Sequence, residues 1–245
     1  MSVVGIIQAR MGSARLPGKV LLDLVGHSML GRVVAQLGAV DLVDQVVVAT
    51  SDRENDDAIA AWCDEHGVAS FRGDEDDVLD RYYRAARAFG ADHVIRGTAD
   101  NPLLDHIGAQ EVVALHLKGG TAYTHNVAVL DSGMPIGTGI EVFTFAAIEQ
   151  SWRNGTAPHH REHVDEYAIE NPGLFPTATA TARASVRAPD LRLTVDVSED
   201  VDVVRAILGA LDDPSPPVLL DDVVRLARAR PELVTANRAV VQKEV

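Results

Sequence analysis

The chain has 245 residues, of which 47% are apolar and 24% are charged, a composition typical of a globular protein with a substantial core. Its net charge of −14 argues against binding to nucleic acid or to membrane surfaces, because their phosphate groups would be repelled. The only cysteine, Cys63, excludes an intrachain disulfide, and we expect it to be a small buried helix residue. No signal peptide or apolar membrane span is present in the sequence, which predicts a cytoplasmic protein.

The first 120 residues alternate short apolar runs with amphipathic helical patterns. Strands are predicted at residues 3–7, 45–49, 68–71 and 92–96. Helices are predicted at residues 29–39, 55–66, 78–89 and 107–117. This rhythm predicts an α/β fold with a parallel sheet covered on both faces, in which ligands bind beyond the carboxyl ends of the strands.

From residue 121 onward the rhythm becomes irregular. Strands are predicted at residues 121–124, 139–143 and 191–195, and helices at residues 144–152, 162–170, 200–211 and 221–230. Residues 177–186 alternate Ala and Thr, which indicates an exposed strand or hairpin arm. We interpret residues 125–188 as an insertion within one domain that spans residues 1–245.

The loop after the first predicted strand is strongly basic in an otherwise acidic chain. Arg10, Arg15 and Lys19 lie in this loop, and no acidic residue occurs among the first 22 positions. Glycines in the same loop let the backbone approach a ligand closely, and Arg and Lys side chains neutralise phosphate charge. The loop is therefore predicted to hold a polyanion, with a basic surface turn as the alternative.

The glycine spacing of this loop differs from that of a P-loop. Gly12 and Gly18 are separated by five residues instead of four, and Val20 stands where a P-loop needs a hydroxyl for magnesium. The sequence therefore argues against a P-loop nucleotide hydrolase.

Residues 6–19 resemble the opening signature of the cytidylyltransferases that make CMP-activated acidic sugars, such as the CMP-Kdo and acylneuraminate synthetases. The resemblance is closest to the SpsF-like branch of spore-coat polysaccharide biosynthesis. Further segments follow in the order of that family, at residues 48–52, 71–83, 96–103, 162–164 and 193–200. Together these segments extend over most of the chain.

The resemblance implies a Rossmann-like, three-layer nucleotidyltransferase fold of the GT-A-like type. It also implies a Mg²⁺-dependent enzyme that transfers CMP from CTP to an acidic sugar or a small hydroxylated acceptor, with release of pyrophosphate. A homodimer formed through the middle section is expected for the same reason.

Two aspartates follow predicted strands at the ligand-binding edge of the sheet. Asp100 comes shortly after the strand at 92–96, and Asp196 follows the strand at 191–195. Two carboxylates together with triphosphate oxygens suit Mg²⁺, and the resemblance assigns metal binding to this pair. The alternatives are a turn or cap role for Asp100 before Pro102, and capping of the following helix by Asp196.

The family pattern also implies a nucleotide site. Its expected members are Gln8, Ala9, Arg10, Gly12, Ser13, Arg15, Lys19, Thr50, Ser51, Asp52, Asp77, Val78, Arg81 and Thr98. Arg10, Arg15 and Lys19 would bind the phosphates and, with Asp100, form the catalytic set. The turn at residues 50–52 and the Asp77–Val78 pair would face cytosine and ribose. Asp77 is equally interpreted as a first-turn helix acid, and Arg81 as a salt-bridge partner.

The acceptor site is expected in the middle section, with Glu141, Arg161 and His163 as its candidate residues. Residues 135–141 resemble the Gly-rich approach of the family to an acidic residue, and Glu141 is either acceptor-binding or a solvent-facing strand residue. A sugar acid needs cations for its carboxylate. Arg161, Arg183 and Arg187 are candidates that the spacing does not distinguish.

Residues 159–163 match H-x-x-E-H, the inverted zinc-protease motif. In a helix, His159 and His163 would share one face. The sequence offers no clear third ligand, so a zinc site is disfavoured. A polar helix face lining the acceptor pocket or a subunit interface is favoured, with solvated surface as the alternative.

Other functions share parts of this pattern. A glycosyltransferase, or a nucleotidyltransferase for another nucleoside triphosphate, would use a similar sheet with an acidic metal site. The basic loop suits a triphosphate better than a diphosphate sugar. A non-catalytic nucleotide-binding protein is the third alternative.

Overall fold

The computed structural model describes residues 1–241, which form a seven-stranded sheet with helices on both faces. The strands are β1 (Val3–Gln8), β2 (Gln45–Ser51), β3 (Ala69–Gly73), β4 (His93–Thr98), β5 (Tyr123–His125), β6 (Glu141–Thr144) and β7 (Thr177–Thr179). Their order across the sheet is β3-β2-β1-β4-β6-β5-β7. Strands β1 to β4 are mutually parallel, β6 is antiparallel to both neighbours, and β7 is parallel to β5. The expected α/β fold with a mostly parallel sheet is confirmed.

The helices alternate with the strands from β1 to β5, and the second half of the chain departs from this order. They are α1 (Met29–Gly38), α2 (Asp57–His66), α3 (Val78–Ala88), α4 (His106–Leu117), α5 (Phe145–Asn154), α6 (Pro158–Glu162), α7 (Glu166–Glu170), α8 (Ser198–Leu208) and α9 (Leu220–Ala229). Short 3-10 turns occupy Lys19–Leu21, Glu54–Asp56, Ala128–Leu130 and Pro231–Val234. Within residues 1–241, none of the helices has the length and apolarity needed to cross a membrane.

The apolar side chains form two layers, one on each face of the sheet. Along β1, Val3 and Ile7 join the layer under α1, α4, α8 and α9, whereas Val4 and Ile6 join the layer under α3 and α5. Because both faces of β1 are covered, its sequence is a continuous apolar run. Cys63 lies in the first layer, fully buried as expected, and burial raises the pKa of its thiol to about 11.

Side-chain caps define where the helices near the ligand-binding edge begin. The Ser28 hydroxyl accepts a hydrogen bond from the Gly31 amide at the start of α1, and the Asp77 carboxylate accepts one from the Asp80 amide at the start of α3. Each cap satisfies an amide that has no partner inside its helix. Asp77 is therefore fixed at the first turn of α3.

Three predicted elements of the second half differ from the structure, one of them completely and two in part. Residues 191–195 do not form a sheet strand, because this segment makes only one bridge, between Ile136 and Arg192. Of residues 177–186, only Thr177–Thr179 joins the sheet, and the chain turns at Arg183, whose carbonyl accepts hydrogen bonds from the amides of Val186 and Arg187.

The predicted helix at 162–170 is divided into α6 and α7. His163 has an extended backbone, with φ −119° and ψ 119°, which ends α6. The segment from 125 to 188 contributes β6 and β7 to the main sheet. Its treatment as an insertion within a single domain stays a prediction.

Candidate active site

A cavity of about 310 Å³ lies beyond the carboxyl ends of β1 and β4, where the first loop folds back over the sheet edge. Gln8 and Thr98 are register partners at the ends of these two strands. The predicted nucleotide residues that line this cavity are Gln8, Ala9, Arg10, Ser13, Arg15, Lys19, Val78, Arg81 and Thr98. The two elements of the expected signature, the first loop and the start of α3, are thus brought together.

The other predicted nucleotide residues lie around this cavity without lining it. Thr50 and Ser51 are fully buried, and Asp52 pairs through its backbone amide with the Gly73 carbonyl. Gly12 and Asp77 are also outside the cavity lining. The geometry therefore places these five residues in supporting positions.

Buried Asp56, which the sequence analysis did not single out, anchors the first loop. Its carboxylate accepts hydrogen bonds from the Met11 amide at 2.7 Å and from the Ser51 amide at 3.2 Å, as well as from the Ser51 hydroxyl. The loop after β2 is thereby fastened to the basic loop after β1. Asp56 lies in no motif, so its role emerges only from the fold.

Lys19 lies between the two aspartates predicted to bind metal. Its side-chain nitrogen Nζ donates to Asp100 Oδ2 at 3.1 Å, to Asp196 Oδ1 at 3.0 Å and to the Val195 carbonyl at 2.7 Å. Lys19 is only 8% exposed, and the left-handed backbone of Gly18, with φ 73°, turns the chain into its position. The ammonium is thus a cation held between two carboxylates at the sheet edge.

Asp196 lies in a strongly cationic environment. Arg15 Nη2 is 3.1 Å from its Oδ1 atom, and Arg192 Nη2 is 2.8 Å from its Oδ2 atom. Burial alone would raise the pKa of Asp196, but Lys19, Arg192 and Arg15 outweigh this effect and hold the pKa below its ordinary value. This carboxylate is therefore ionised at neutral pH.

The pair of carboxylates fits a magnesium ion. Lys19 already acts as a stand-in cation between Asp100 and Asp196, and both side chains supply the hard oxygen ligands that Mg²⁺ prefers. The arrangement offers few protein ligands, which leaves room for phosphate oxygens. Mg²⁺ binding itself stays a prediction.

A second cavity of about 470 Å³ adjoins the first. The two share Gln8, Arg15, Thr98, Asp100, Glu162, His163 and Asp196 in their linings. The carboxylate pair therefore lies where the cavities meet, and His163 faces this junction.

A buried ionic network forms part of the lining of the second cavity. Arg96 Nη1 contacts Glu141 Oε2 and lies 3.1 Å from Asp165 Oδ1. The Tyr123 hydroxyl donates to Glu141 Oε1 at 2.6 Å. Burial raises the pKa of Glu141 to about 7, against the opposing charge of Arg96. Glu141 is 4% exposed, so the solvent-facing alternative was wrong.

Arg161 is directed away from both cavities. Its guanidinium group donates to Asp77 Oδ2 through Nη2 at 2.6 Å and through Nε at 3.0 Å, and it also binds the Trp152 carbonyl. The pair ties α6 to the first turn of α3. Arg183 is likewise engaged elsewhere, by Asp105 and Asp221. The three candidate arginines, Arg161, Arg183 and Arg187, are all absent from the lining of the second cavity.

The H-x-x-E-H segment does not form the face expected of the zinc motif, because His163 lies beyond the end of α6. Instead His159 Nε2 and His160 Nε2 lie 2.8 Å and 2.6 Å from the two oxygens of Glu170. His160 Nδ1 accepts a hydrogen bond from the Ala157 amide at 3.3 Å, so its Nε2 carries the hydrogen donated to Glu170. Of these three residues, His159 lines the second cavity, whereas His160 and Glu170 do not.

Comparison with known proteins identifies the family. The cytidylyltransferase family model matches residues 4–234. The spore coat polysaccharide biosynthesis protein SpsF of Bacillus subtilis is 33% identical over 241 residues, covering 97% of this chain and 98% of its own.

Solved structures agree with this assignment. A cytidylyltransferase from Leptospira borgpetersenii has 27% identity and a TM-score of 0.89, with 100% of both chains covered. The structure of CMP:2-keto-3-deoxy-manno-octonic acid synthetase complexed with CTP has 20% identity and a TM-score of 0.62, covering 85% of this chain and 99% of its own, which supports the fold alone. The chain therefore belongs to the cytidylyltransferase family and is an enzyme of the nucleotidyltransferase class.

Proposed function

We propose that this enzyme is a Mg²⁺-dependent cytidylyltransferase that transfers CMP from CTP to a hydroxyl group of an acidic sugar or a related small hydroxylated acceptor. Pyrophosphate is the second product. The observation that carries the proposal is the meeting of two cavities at Asp100 and Asp196, with Lys19 between the two carboxylates. The first cavity would hold CTP and the second would hold the acceptor.

The basic loop supplies the charge that the triphosphate needs. Arg10 and Arg15 line the first cavity, and the Arg15 side chain is 43% exposed, so it is accessible to phosphate oxygens. As the acceptor oxygen forms its bond to the α-phosphorus, the bond to the bridging oxygen of pyrophosphate breaks. Cations held in place beforehand stabilise the charge that develops on the leaving group.

Asp100 and Asp196 would hold the Mg²⁺ ion, which supplies positive charge to the phosphate oxygens and helps to orient them. Lys19 bridges the two carboxylates through its side-chain nitrogen. Its ammonium group lies at the edge of the first cavity, within reach of the same ligand. The residues thereby position the reacting groups, which is the main requirement of phosphoryl chemistry.

Two buried polar atoms without partners among residues 1–241 support a role for the first cavity in base recognition. They are Arg81 Nε, a donor, and Gln8 Oε1, an acceptor. Arg81 is 2% exposed, and both residues line the cavity. Cytosine presents a ring acceptor and an exocyclic amino donor, which match this donor and acceptor pair.

The name of one relative supports a proposal for the biological setting. SpsF is named for polysaccharide biosynthesis, and we propose a similar pathway, in the cytoplasm, for this chain. We also propose a homodimer.

The function is tested by pyrophosphate release. The purified protein is incubated with Mg²⁺, a panel of sugar acids and neutral polyols, and each of CTP, UTP, GTP and ATP. We expect release with CTP and one class of acceptor, and loss of release in Asp100→Ala. Release with UTP or GTP but not CTP would defeat the cytidylyl assignment. Release of a nucleoside diphosphate from a nucleotide sugar would indicate the glycosyltransferase alternative.

A further inference from the structure

The two carboxylate oxygens of Asp196 have different partners. Oδ1 faces the junction of the cavities, where Lys19 Nζ lies at 3.0 Å and Arg15 Nη2 at 3.1 Å. Oδ2 points the other way and accepts a hydrogen bond from Arg192 Nη2 at 2.8 Å. One side of the carboxylate is thus directed to the site, while the other is engaged by a guanidinium group behind it.

Arg192 is itself rigidly held. Its Nε donates to Asp200 Oδ1 at 2.9 Å, and its Nη2 donates to Asp200 Oδ2 at 3.0 Å. Asn237 Nδ2 donates to Asp200 Oδ1 at 2.9 Å and to the Arg192 carbonyl at 3.0 Å. The Arg192 side chain is 7% exposed and that of Asp200 is fully buried. This planar, forked contact fixes the orientation of the guanidinium group.

The same buried carboxylate also fixes the backbone at the site. Asp200 Oδ2 accepts hydrogen bonds from the Asp196 amide at 2.9 Å and from the Val197 amide at 3.2 Å. Arg192 and Asp200 together therefore constrain both the main chain and the side chain of Asp196. Neither Arg192 nor Asp200 lines the two cavities of the site. Arg192 borders a third cavity, near Asn237.

We propose that Arg192 is a positioning residue that makes Asp196 a one-oxygen ligand and thereby favours Mg²⁺ over Ca²⁺. The inference rests on the proposed function, in which Asp196 holds the metal. Because Arg192 holds Oδ2 behind the site, Oδ1 is the oxygen that faces the junction, where its contacts are the cationic side chains of Lys19 and Arg15. Mg²⁺ requires a small octahedral set of ligands, whereas Ca²⁺ accepts more ligands, including carboxylates that bind through both oxygens.

A purely structural role for Arg192 makes a different prediction. If the pair with Asp200 serves only to hold the segment around residues 191–200, its loss would lower stability and weaken every ligand to the same degree. If Arg192 controls the oxygen that Asp196 presents, its loss would change the ratio between metals. The ratio of affinities for CTP with the two metals separates these roles.

The test measures CTP dissociation constants by calorimetry without an acceptor, at saturating Mg²⁺ or saturating Ca²⁺. The variants are Arg192→Gln and Arg192→Lys, and the control is Arg228→Gln, which removes an exposed pair with Asp190. We expect the wild type to bind CTP more tightly with Mg²⁺. In Arg192→Gln, affinity with Mg²⁺ should fall about 10- to 100-fold, the usual effect of losing a partner of a metal ligand, and the preference for Mg²⁺ should shrink.

Arg192→Lys keeps the positive charge but lacks the forked guanidinium group. We therefore expect its preference for Mg²⁺ over Ca²⁺ to lie between those of the wild type and Arg192→Gln. If circular dichroism shows that Arg192→Gln does not fold, the Arg192→Lys variant tests the inference in its place. The inference would be overturned, and the proposed function left intact, if the wild type bound CTP equally well with Mg²⁺ and Ca²⁺. The same holds if folded variants kept the wild-type ratio of the two affinities. No CTP binding by the wild type with either metal would instead overturn the proposed function, and this inference with it.

Discussion

Lys19 is the residue on which the electrostatics of the site depend. An ammonium group that is 8% exposed requires paired charges, because a buried unpaired charge is costly. Asp100 and Asp196 provide that pairing, and Lys19 in turn keeps two carboxylates close together that would otherwise repel each other. The three charges therefore stabilise one another, and Arg15 and Arg192 add to the pairing of Asp196.

Replacement of Lys19 by Met should preserve the shape of the side chain and remove its charge. We expect the rate of pyrophosphate release to fall about 100- to 1000-fold, the usual cost of losing one charge-stabilising group. Lys118→Met, at an exposed position, is the control. A Lys19→Met enzyme with wild-type turnover would show that this ammonium has no part in the reaction.

Gln8 provides a second test at the scale of one residue. Its buried Oε1 atom has no partner among residues 1–241 and suits the amino group of cytosine, which uracil lacks. In Gln8→Leu we expect CTP affinity to fall about fivefold, since one hydrogen bond is worth roughly 1 kcal/mol, while UTP affinity changes little. Calorimetry with both nucleotides measures this, with the exposed Gln45→Leu as control. An unchanged ratio of CTP to UTP affinity would exclude Gln8 from base selection.

Among the elements, α3 connects the sheet to the site. The Tyr82 hydroxyl of α3 donates to the carbonyls of Ile6 at 3.0 Å and Gly97 at 2.8 Å, one on β1 and one on β4. At its first turn, Asp77 holds Arg161, which precedes the cavity residues Glu162 and His163. The helix thereby fixes both strand ends and the segment that carries His163.

Loss of the Tyr82 hydroxyl should weaken this connection. In Tyr82→Phe we expect the free energy of unfolding to fall by about 1–3 kcal/mol, because two hydrogen bonds are lost at a fully buried position. Urea denaturation measures the change. Tyr83→Phe, whose hydroxyl makes only a 3.5 Å contact with Glu149, is the matched control. Equal stabilities of the two variants would contradict the role given to Tyr82.

The contact between α4 and β5 should make stability depend on pH. His116 is 1% exposed, its Nδ1 lies 2.9 Å from Thr124 Oγ1, and its Nε2 lies 3.0 Å from His93 Nδ1. Burial, assisted by His93, lowers the pKa of His116 to about 4. In the unfolded chain the pKa of histidine is about 6.5, so the unfolded state binds the additional proton. Stability is therefore complete above pH 6.5 and is lost as the pH falls toward 4.

His116→Asn should remove much of this dependence. Between pH 7.5 and pH 5, we expect the free energy of unfolding to fall about 2 kcal/mol less in the variant than in the wild type. Urea denaturation at both pH values gives the difference, with the exposed His27→Asn as control. Parallel losses in the wild type and in His116→Asn would show that His116 titrates normally in the folded state.

In the whole molecule, the sequence predicts the first half of the fold better than the second. Strands β1 to β4 and the helices between them follow from local patterns, because a parallel sheet buried on both faces requires continuous apolar runs. Residues 191–195 alternate apolar and polar side chains, as a half-buried strand would, but they pass beside Ile136 instead of joining the sheet. Local sequence does not reveal which apolar segment will pair with a strand of the sheet.

The site shows the same division. Asp100 was predicted from the end of a strand and Lys19 from the basic loop, whereas Asp196 was predicted from a strand at 191–195 that the structure does not contain. The fold nevertheless brings these three residues together. Arg192 and Asp200 were missed because their partners depend on the path of the chain after residue 190, and no spacing rule predicts a buried pair between an irregular segment and the first turn of α8.

We expect the junction of the two cavities to bind CTP together with Mg²⁺. Calorimetric titration of CTP into the wild type and Asp100→Asn, each with and without Mg²⁺, measures this binding without the need for an acceptor. We predict saturable binding by the wild type that strengthens with Mg²⁺, and a variant in which this Mg²⁺ effect is lost. Absence of CTP binding by the wild type, or an equal Mg²⁺ effect in Asp100→Asn, would show that Asp100 and the basic loop do not form a joint site for CTP and Mg²⁺.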